Sequence, residues 1–153
     1  MKTILVGYDG TNSAKRALER AAEFAEAFKA KIVIVSVATP EPTTAPGAFG
    51  LLPLYAYDAD RLGSGHDEAL WQEHRKSVEA FFKDVNLAVD FAGVRGEPVE
   101  QIVEVAEQQR ADLIVVGTRE PGFVERLLTR SVSQGVARRA HCDVLIVHSS
   151  EEE

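Results

Sequence analysis

Five short apolar runs divide the chain, and each has the length and composition of a buried β-strand. They are rich in valine, isoleucine and leucine without regular alternation with polar residues, which is typical of parallel strands covered on both faces. The runs lie at residues 3–8, 32–37, 87–94, 113–116 and 144–147.

Between these runs, apolar residues recur at the spacing of amphipathic helices. The spacing predicts helices from about residue 13, over residues 70–85, from residue 98, and over residues 131–140. Thr11, Asn12 or Ser13 can cap the first helix. Pro98 suits the first turn of the third, where its missing N–H costs nothing.

This order of elements predicts the α/β fold class: one doubly wound, five-stranded parallel sheet with helices on both faces. Residues 1–149 form a single domain in this interpretation, and residues 150–153 are an acidic tail. Residues 39–66 hold four of the six prolines. We expect a long connection there, either a lid, a contact loop or disorder.

The bulk composition excludes several classes of protein. A net charge of −7 argues against binding to nucleic acid or anionic lipid, and no apolar run approaches the ~20 residues that span a membrane. Cys142 is the single cysteine, so no internal disulfide can form and we expect a cytoplasmic protein. Scattered histidines and the lack of a nucleophile-elbow pattern predict no metal site and no hydrolase triad.

Residues 112–133 carry the most suggestive chemistry. An apolar strand ends at Gly117, a loop with three arginines follows, and Ser131 and Ser133 open a helix. Backbone N–H groups and hydroxyls at such a helix start bind phosphate well. The alternatives are that the arginines form a solvated face and that the two serines are helix caps.

In their order and spacing, these segments resemble the universal stress protein family over nearly the whole chain. The resemblance rests on residues 6–11, 96–98, 111–117, 127–128, 131–133 and 141–147. It implies the strand order 3-2-1-4-5, which reverses between strands one and four and so places a ligand crevice at their carboxyl ends. It also implies a role in binding and regulation under stress.

The resemblance assigns roles to residues at those strand ends. In nucleotide-binding members, the aspartate after strand one contacts the nucleoside, and the end of strand two lies against the base. These positions are Asp9 and Val37 here. ATP or another adenine nucleotide is therefore the expected ligand. Asp9 has an alternative role as a cap of the strand-to-helix turn.

The family's glycine-rich phosphate loop is only partly kept. Gly117 matches its first glycine, and Ser131 and Ser133 match its hydroxyl positions. Glu120 and Arg130 stand where the second and third glycines belong. Glycine suits such places because a ligand can approach bare backbone. Glu120 sets a negative charge near a triphosphate, whereas the guanidinium of Arg130 is able to pair with phosphate.

The leading hypothesis is a stress-response binding protein whose adenine-nucleotide pocket has a degenerate phosphate loop, with ATP binding weak or absent. The predicted pocket comprises Asp9, Val37, Gly117, Arg119, Arg130, Ser131 and Ser133. The alternative is a dimeric interaction protein that does not bind ATP. Without a poised general base or a Walker Lys-Ser/Thr pair, slow ATP hydrolysis is the most that the sequence supports.

The last apolar run predicts the quaternary structure. Val144–Val147 would be an edge strand, and it is too apolar to remain bare in water. Pairing of this edge with itself across a two-fold axis would satisfy its backbone groups, and the family commonly dimerises in this way. We therefore expect a homodimer.

The charge at position 120 yields a first prediction. Glu120→Gly is expected to strengthen ATP binding, because a like-charge contact at ~4 Å costs up to about 4 kcal/mol at an effective dielectric of ~20. Even a quarter of that weakens binding about fivefold. Titration calorimetry should show the gain, and the gain should be largest at low salt, where repulsion is least screened.

Arg130→Gly tests whether the size or the charge of the Arg130 side chain affects ATP binding. It should help ATP binding only where the side chain crowds the phosphates, and should weaken binding where the guanidinium pairs with them. A double Glu120→Gly and Arg130→Gly variant that still gives no heat with ATP would contradict the degenerate-pocket hypothesis.

Overall fold

The computed structural model describes residues 1–40, 52–118 and 132–148, with residues 52–64 described by their backbone alone. Strands and helices alternate along these ranges. They are β1 Thr3–Gly7, α1 Asn12–Phe28, β2 Lys31–Ala38, α2 Leu52–Phe81, β3 Val89–Arg95, α3 Pro98–Gln108, β4 Leu113–Gly117, α4 Val132–Arg139 and β5 Asp143–Val147.

The five strands form one sheet in the order β3-β2-β1-β4-β5. Every pair is parallel: β1 pairs with β2 and with β4, β2 with β3, and β4 with β5. The α/β fold class and the strand order 3-2-1-4-5 are thereby confirmed. The central strand β1 is buried over Ile4–Val6, as expected for a strand with helices on both faces.

Two apolar clusters fill the spaces between the sheet and its helices. One lies under α1 and α2 and includes Leu18 and Val78, and the other lies under α3 and α4 and includes Ile102 and Val136. The buried face of α1 consists mainly of alanines. Because these side chains are small, α1 can approach the sheet closely.

Local sequence accounts for the helix starts. Thr11 caps α1, with its Oγ1 accepting a hydrogen bond from the Ala14 N–H at 3.2 Å. Glu97 caps α3, where its carboxylate accepts from the N–H groups of Val99 and Glu100. Pro98 follows at the first helical position, which confirms the predicted start of α3.

The prediction of a long connection over residues 39–66 was wrong for its second part, because α2 already begins at Leu52. Pro53 lies in the first turn of that helix, where proline lacks only an N–H that would have no helical partner. Glycine at position 65 inside the helix costs only about 1 kcal/mol relative to alanine. Residues 41–51 lie outside the described residues.

The C-terminal half of α2, from Asp67 onwards, packs against β2 and β3. A Cβ atom at Gly93 would lie 2.6 Å from the Trp71 ring, so only glycine leaves room for the indole at this position. Arg95 forms an ion pair with Asp67, with Nε and Oδ2 3.5 Å apart. These contacts place the face of α2 that carries His74 under the end of β2. No described helix is both long and apolar enough to cross a membrane.

Candidate functional site

A cleft of about 130 Å³ opens at the carboxyl ends of β1, β2 and β4. The strand order reverses between β1 and β4, so the connections that leave these two strands run to opposite faces of the sheet. Such a switch point leaves a crevice in which α/β proteins bind ligands. The cleft therefore lies where the fold alone favours a binding site.

The residues that line the cleft fall into two chemical sets, an apolar set called the slot and a polar set called the rim. The slot is lined by Val35, Val37, Pro98, Ile102, Val116 and Val132. The rim is lined by Asp9, Thr11, Ser13 and Thr39. A flat apolar ring joined to a hydroxyl-bearing group matches this division, because the ring loses water in the slot while hydroxyls meet acceptors at the rim.

The turn between β1 and α1 orients Asp9. The Oδ1 atom of Asp9 accepts hydrogen bonds from the N–H of Thr11 at 3.0 Å and from its hydroxyl at 2.6 Å. Gly10 has φ of 81°, a left-handed conformation that favours glycine. The side-chain cap of α1 is Thr11, whereas Asp9 caps the strand-to-helix turn, which is the alternative role expected for it from the sequence. Its Oδ2 atom has no hydrogen-bond partner among the described residues.

Gly117 has a structural role that its match to the phosphate loop does not reveal. A Cβ atom there would lie 2.6 Å from the Ser13 carbonyl carbon and 2.7 Å from its hydroxyl oxygen. Real Cβ contacts essentially never come so close. The first turn of α1 therefore requires bare backbone at position 117.

The structure brings part of the predicted pocket together. Asp9, Val37 and Gly117 all line the cleft. Ser133 is buried in α4 at 2 % exposure, and it is not among the residues that line the cleft. The other predicted site residues, at positions 119, 130 and 131, lie outside the described residues, as does Glu120.

Sequence reasoning missed several residues of the cleft. Thr11 and Ser13 entered only as helix caps, although both line the rim. Pro98 and Ile102 entered only as helix residues, although they close the slot from α3. No local sequence signal places Ile102 at the cleft, because its position there depends on how α3 packs on the sheet.

Behind the rim lies a buried polar pair. The Nδ1 atom of His74 and the Oγ atom of Ser36 are 2.6 Å apart, and the imidazole meets the Tyr8 ring edge-on with centroids 5.2 Å apart. The Tyr8 hydroxyl in turn is 2.9 Å from the Ser77 hydroxyl. Burial lowers the pKa of His74, and the charges of Asp9 and Glu73 partly oppose that shift. His74 is therefore packed in the interior.

Within the described ranges, no three histidine, cysteine, aspartate or glutamate side chains come together to hold a metal ion. Cys142 is free and half-buried. Burial raises the pKa of its thiol, and Asp143 and Asp112 add to the shift, which favours the protonated form at neutral pH.

The chain belongs to the universal stress protein family, whose model matches residues 1–148. A universal stress protein of Mycobacterium tuberculosis (strain H37Rv) is 33% identical, with 97% of each chain covered. One of Methanocaldococcus jannaschii is 30% identical over 99% of this chain and 85% of the relative.

Two solved structures show the same fold. A universal stress protein in complex with cAMP has a TM-score of 0.65 and 32% identity, covering 97% of this chain and 98% of that one. A structure of the hypothetical protein MJ0577 has a TM-score of 0.76 at 21% identity, covering 99% of this chain and 98% of that one. The latter likeness shows the fold alone.

The contact at Gly117 makes a second prediction. Gly117→Ala is expected to lower the free energy of unfolding by roughly 1–3 kcal/mol, because the added methyl group overpacks the junction with Ser13. Gly65→Ala is the matched control, since a Cβ atom at Gly65 would meet nothing within 4 Å and helix propensity favours alanine. Urea denaturation measures both. Equal stability of the two variants would contradict the close approach.

Proposed function

We propose that this chain binds an adenine nucleotide in the cleft at the ends of β1, β2 and β4, and that it acts as a binding and regulatory protein in a stress response. The observation that carries the proposal is the position of Asp9. Its carboxylate stands at the rim of an apolar slot at the switch point of the sheet, so one ligand can reach both.

The chemistry of the two halves of the cleft supports an adenosine group. A purine ring would lie between Val37 of β2 and Ile102 of α3, where aliphatic side chains exclude water from its faces. The Oδ2 atom of Asp9, which has no hydrogen-bond partner among the described residues, would accept a hydrogen bond from a ribose hydroxyl. A hydrogen bond to a charged group contributes about 1.5–3 kcal/mol, which is enough to select a nucleoside over a bare base.

The solved relative that is 32% identical was crystallised with cAMP, and this supports a ligand with few negative charges. ATP carries a triphosphate, and in the sequence Glu120 stands where the family's phosphate loop has a glycine. A cyclic nucleotide brings one charge only. Because repulsion grows with the ligand's charge, we infer that cAMP or AMP binds more tightly than ATP.

Asp9 tests this function directly. Asp9→Ala is expected to weaken binding of cAMP and of adenosine roughly tenfold to a hundredfold, through loss of the charged hydrogen bond. Weak binding of inorganic phosphate should stay unchanged, because Asp9 would contact the nucleoside alone. Titration calorimetry gives all three affinities.

Asp84→Ala is the control for this experiment, because Asp84 is an exposed carboxylate in the turn after α2 and its removal changes the net charge equally. It should leave each affinity as it is in the unaltered protein. Full adenosine affinity in Asp9→Ala would contradict the proposed site. Absence of any adenosine binding in the unaltered protein would refute the proposed function.

The edge of the sheet supports a second function, that of a dimeric interaction protein. Among the described strands, β5 pairs with β4 alone. Val144, Leu145 and Ile146 remain partly exposed along it. An apolar edge strand is a template for pairing with another chain, and two-fold pairing with a second copy would cover these side chains together with the free backbone groups.

Charges placed on this edge test the dimer. Val144→Lys combined with Ile146→Lys is expected to give monomers or aggregates, because the two lysine ammonium groups of one protomer would face those of its partner across the two-fold axis. Light scattering gives the mass. Both side chains also pack on the cluster under α3 and α4, so circular dichroism must show a folded variant. A folded variant with an unchanged dimer mass would place the interface elsewhere.

A further inference from the structure

His74 touches both segments that form the rim of the cleft. It projects from α2, and its Nδ1 atom lies 2.6 Å from the Ser36 hydroxyl of β2, one residue before Val37. Its other ring nitrogen faces the turn after β1, where a Cβ atom at Gly10 would lie 3.2 Å from Nε2. The imidazole therefore joins the end of β2 to the turn that carries Asp9.

The surroundings of His74 make its charge dependent on Asp9. The side chain is 8 % exposed, and burial lowers its pKa. Asp9 and Glu73 are the carboxylates that act in the opposite direction, with Asp9 the stronger. The packed strands contribute the Tyr8 phenol from β1 and the Ser36 hydroxyl from β2. Nε2 has no hydrogen-bond partner among the described residues.

Asp9 thus faces a ligand site on one side and His74 on the other. In the free protein Asp9 is exposed, so water screens its field. A ligand in the cleft displaces that water, and the attraction between the carboxylate and an imidazolium strengthens as the effective dielectric falls. An anionic ligand adds to this attraction. Both effects favour a proton on His74 in the bound state.

We propose that His74 is a positioning residue that acts through Asp9, so that binding of an adenosine-type ligand is accompanied by proton uptake at His74. The inference rests on the proposed function and concerns how binding at that same site is regulated. Because linkage is reciprocal, a ligand that favours protonated His74 is itself bound more tightly when His74 is protonated. Affinity should therefore rise as the pH falls from 8 to 5.5.

The expected rise is about fivefold, the low end of coupling between neighbouring sites. cAMP is the probe, because its phosphodiester stays singly ionised over this range and contributes no proton of its own. Titration calorimetry in two buffers of different ionisation enthalpy gives the number of protons taken up per ligand. That number should be a fraction of one near the midpoint of the pH dependence and zero at pH 8.

The variants separate a linkage from a purely structural role. His74→Gln keeps an amide N–H that can reach Ser36 but cannot titrate, so it should bind cAMP as the unaltered protein does at pH 8 and lose the pH dependence. His141→Gln is the matched control. Its side chain is 78 % exposed and pairs with Glu107, outside the cleft lining, so proton uptake should remain.

A measurement on the unaltered protein does not depend on whether a variant folds. The C2–H resonance of His74, followed by NMR against pH, should show a higher pKa with saturating cAMP than without it. Zero proton uptake with intact cAMP binding, an unshifted His74 resonance, or uptake that survives in His74→Gln would each overturn the inference and leave the proposed function standing. Absence of cAMP binding at every pH would overturn both.

Discussion

The approach of α1 to the end of β4 is the constraint on which the site depends. Gly117 and Ser13 lie so close that no side chain fits at position 117. This contact brings the start of α1 beside β4, although β1 alone precedes α1 in the chain. The Asp9 turn is thereby held at the mouth of the cleft. The N–H and the hydroxyl of Thr11 both donate hydrogen bonds to the Asp9 carboxylate.

The sheet could be predicted from the chain because its strands are buried on both faces. Ile4–Val6 and Leu113–Val116 are apolar throughout since helices cover each side, and that pattern has few alternatives. The start of α2 could not be predicted so well. Pro53 is compatible both with a connection and with a first helical turn, so the local sequence does not decide between them.

The site residues at the strand ends could be predicted from the sequence, and the other site residues could be predicted less well. Asp9, Val37 and Gly117 follow or end strands, so the topology alone brings them together. Ile102 reaches the cleft from α3, and Ser36 meets His74 across 38 positions of the chain. Such pairs depend on how helices are set on the sheet, which no local pattern encodes.

The two halves of the proposed nucleotide site differ in how well they fit their ligand groups. The part proposed for the nucleoside has an apolar slot, a carboxylate beside it and a turn that holds the carboxylate. In the segment that resembles the family's phosphate loop, Glu120 and Arg130 stand at the positions of two glycines. Such a division suits a protein that senses a small adenine nucleotide without using the energy of a triphosphate.

The most direct test of this account is an NMR map of the cAMP contact surface on isotopically labelled protein. The account predicts that backbone amide shifts change at Asp9, Thr11, Val37 and Gly117 and leave the far ends of the strands, such as Lys31 and Asp143, unaffected. Saturable changes confined to the β3 or β5 edge, or no changes at millimolar cAMP, would contradict it.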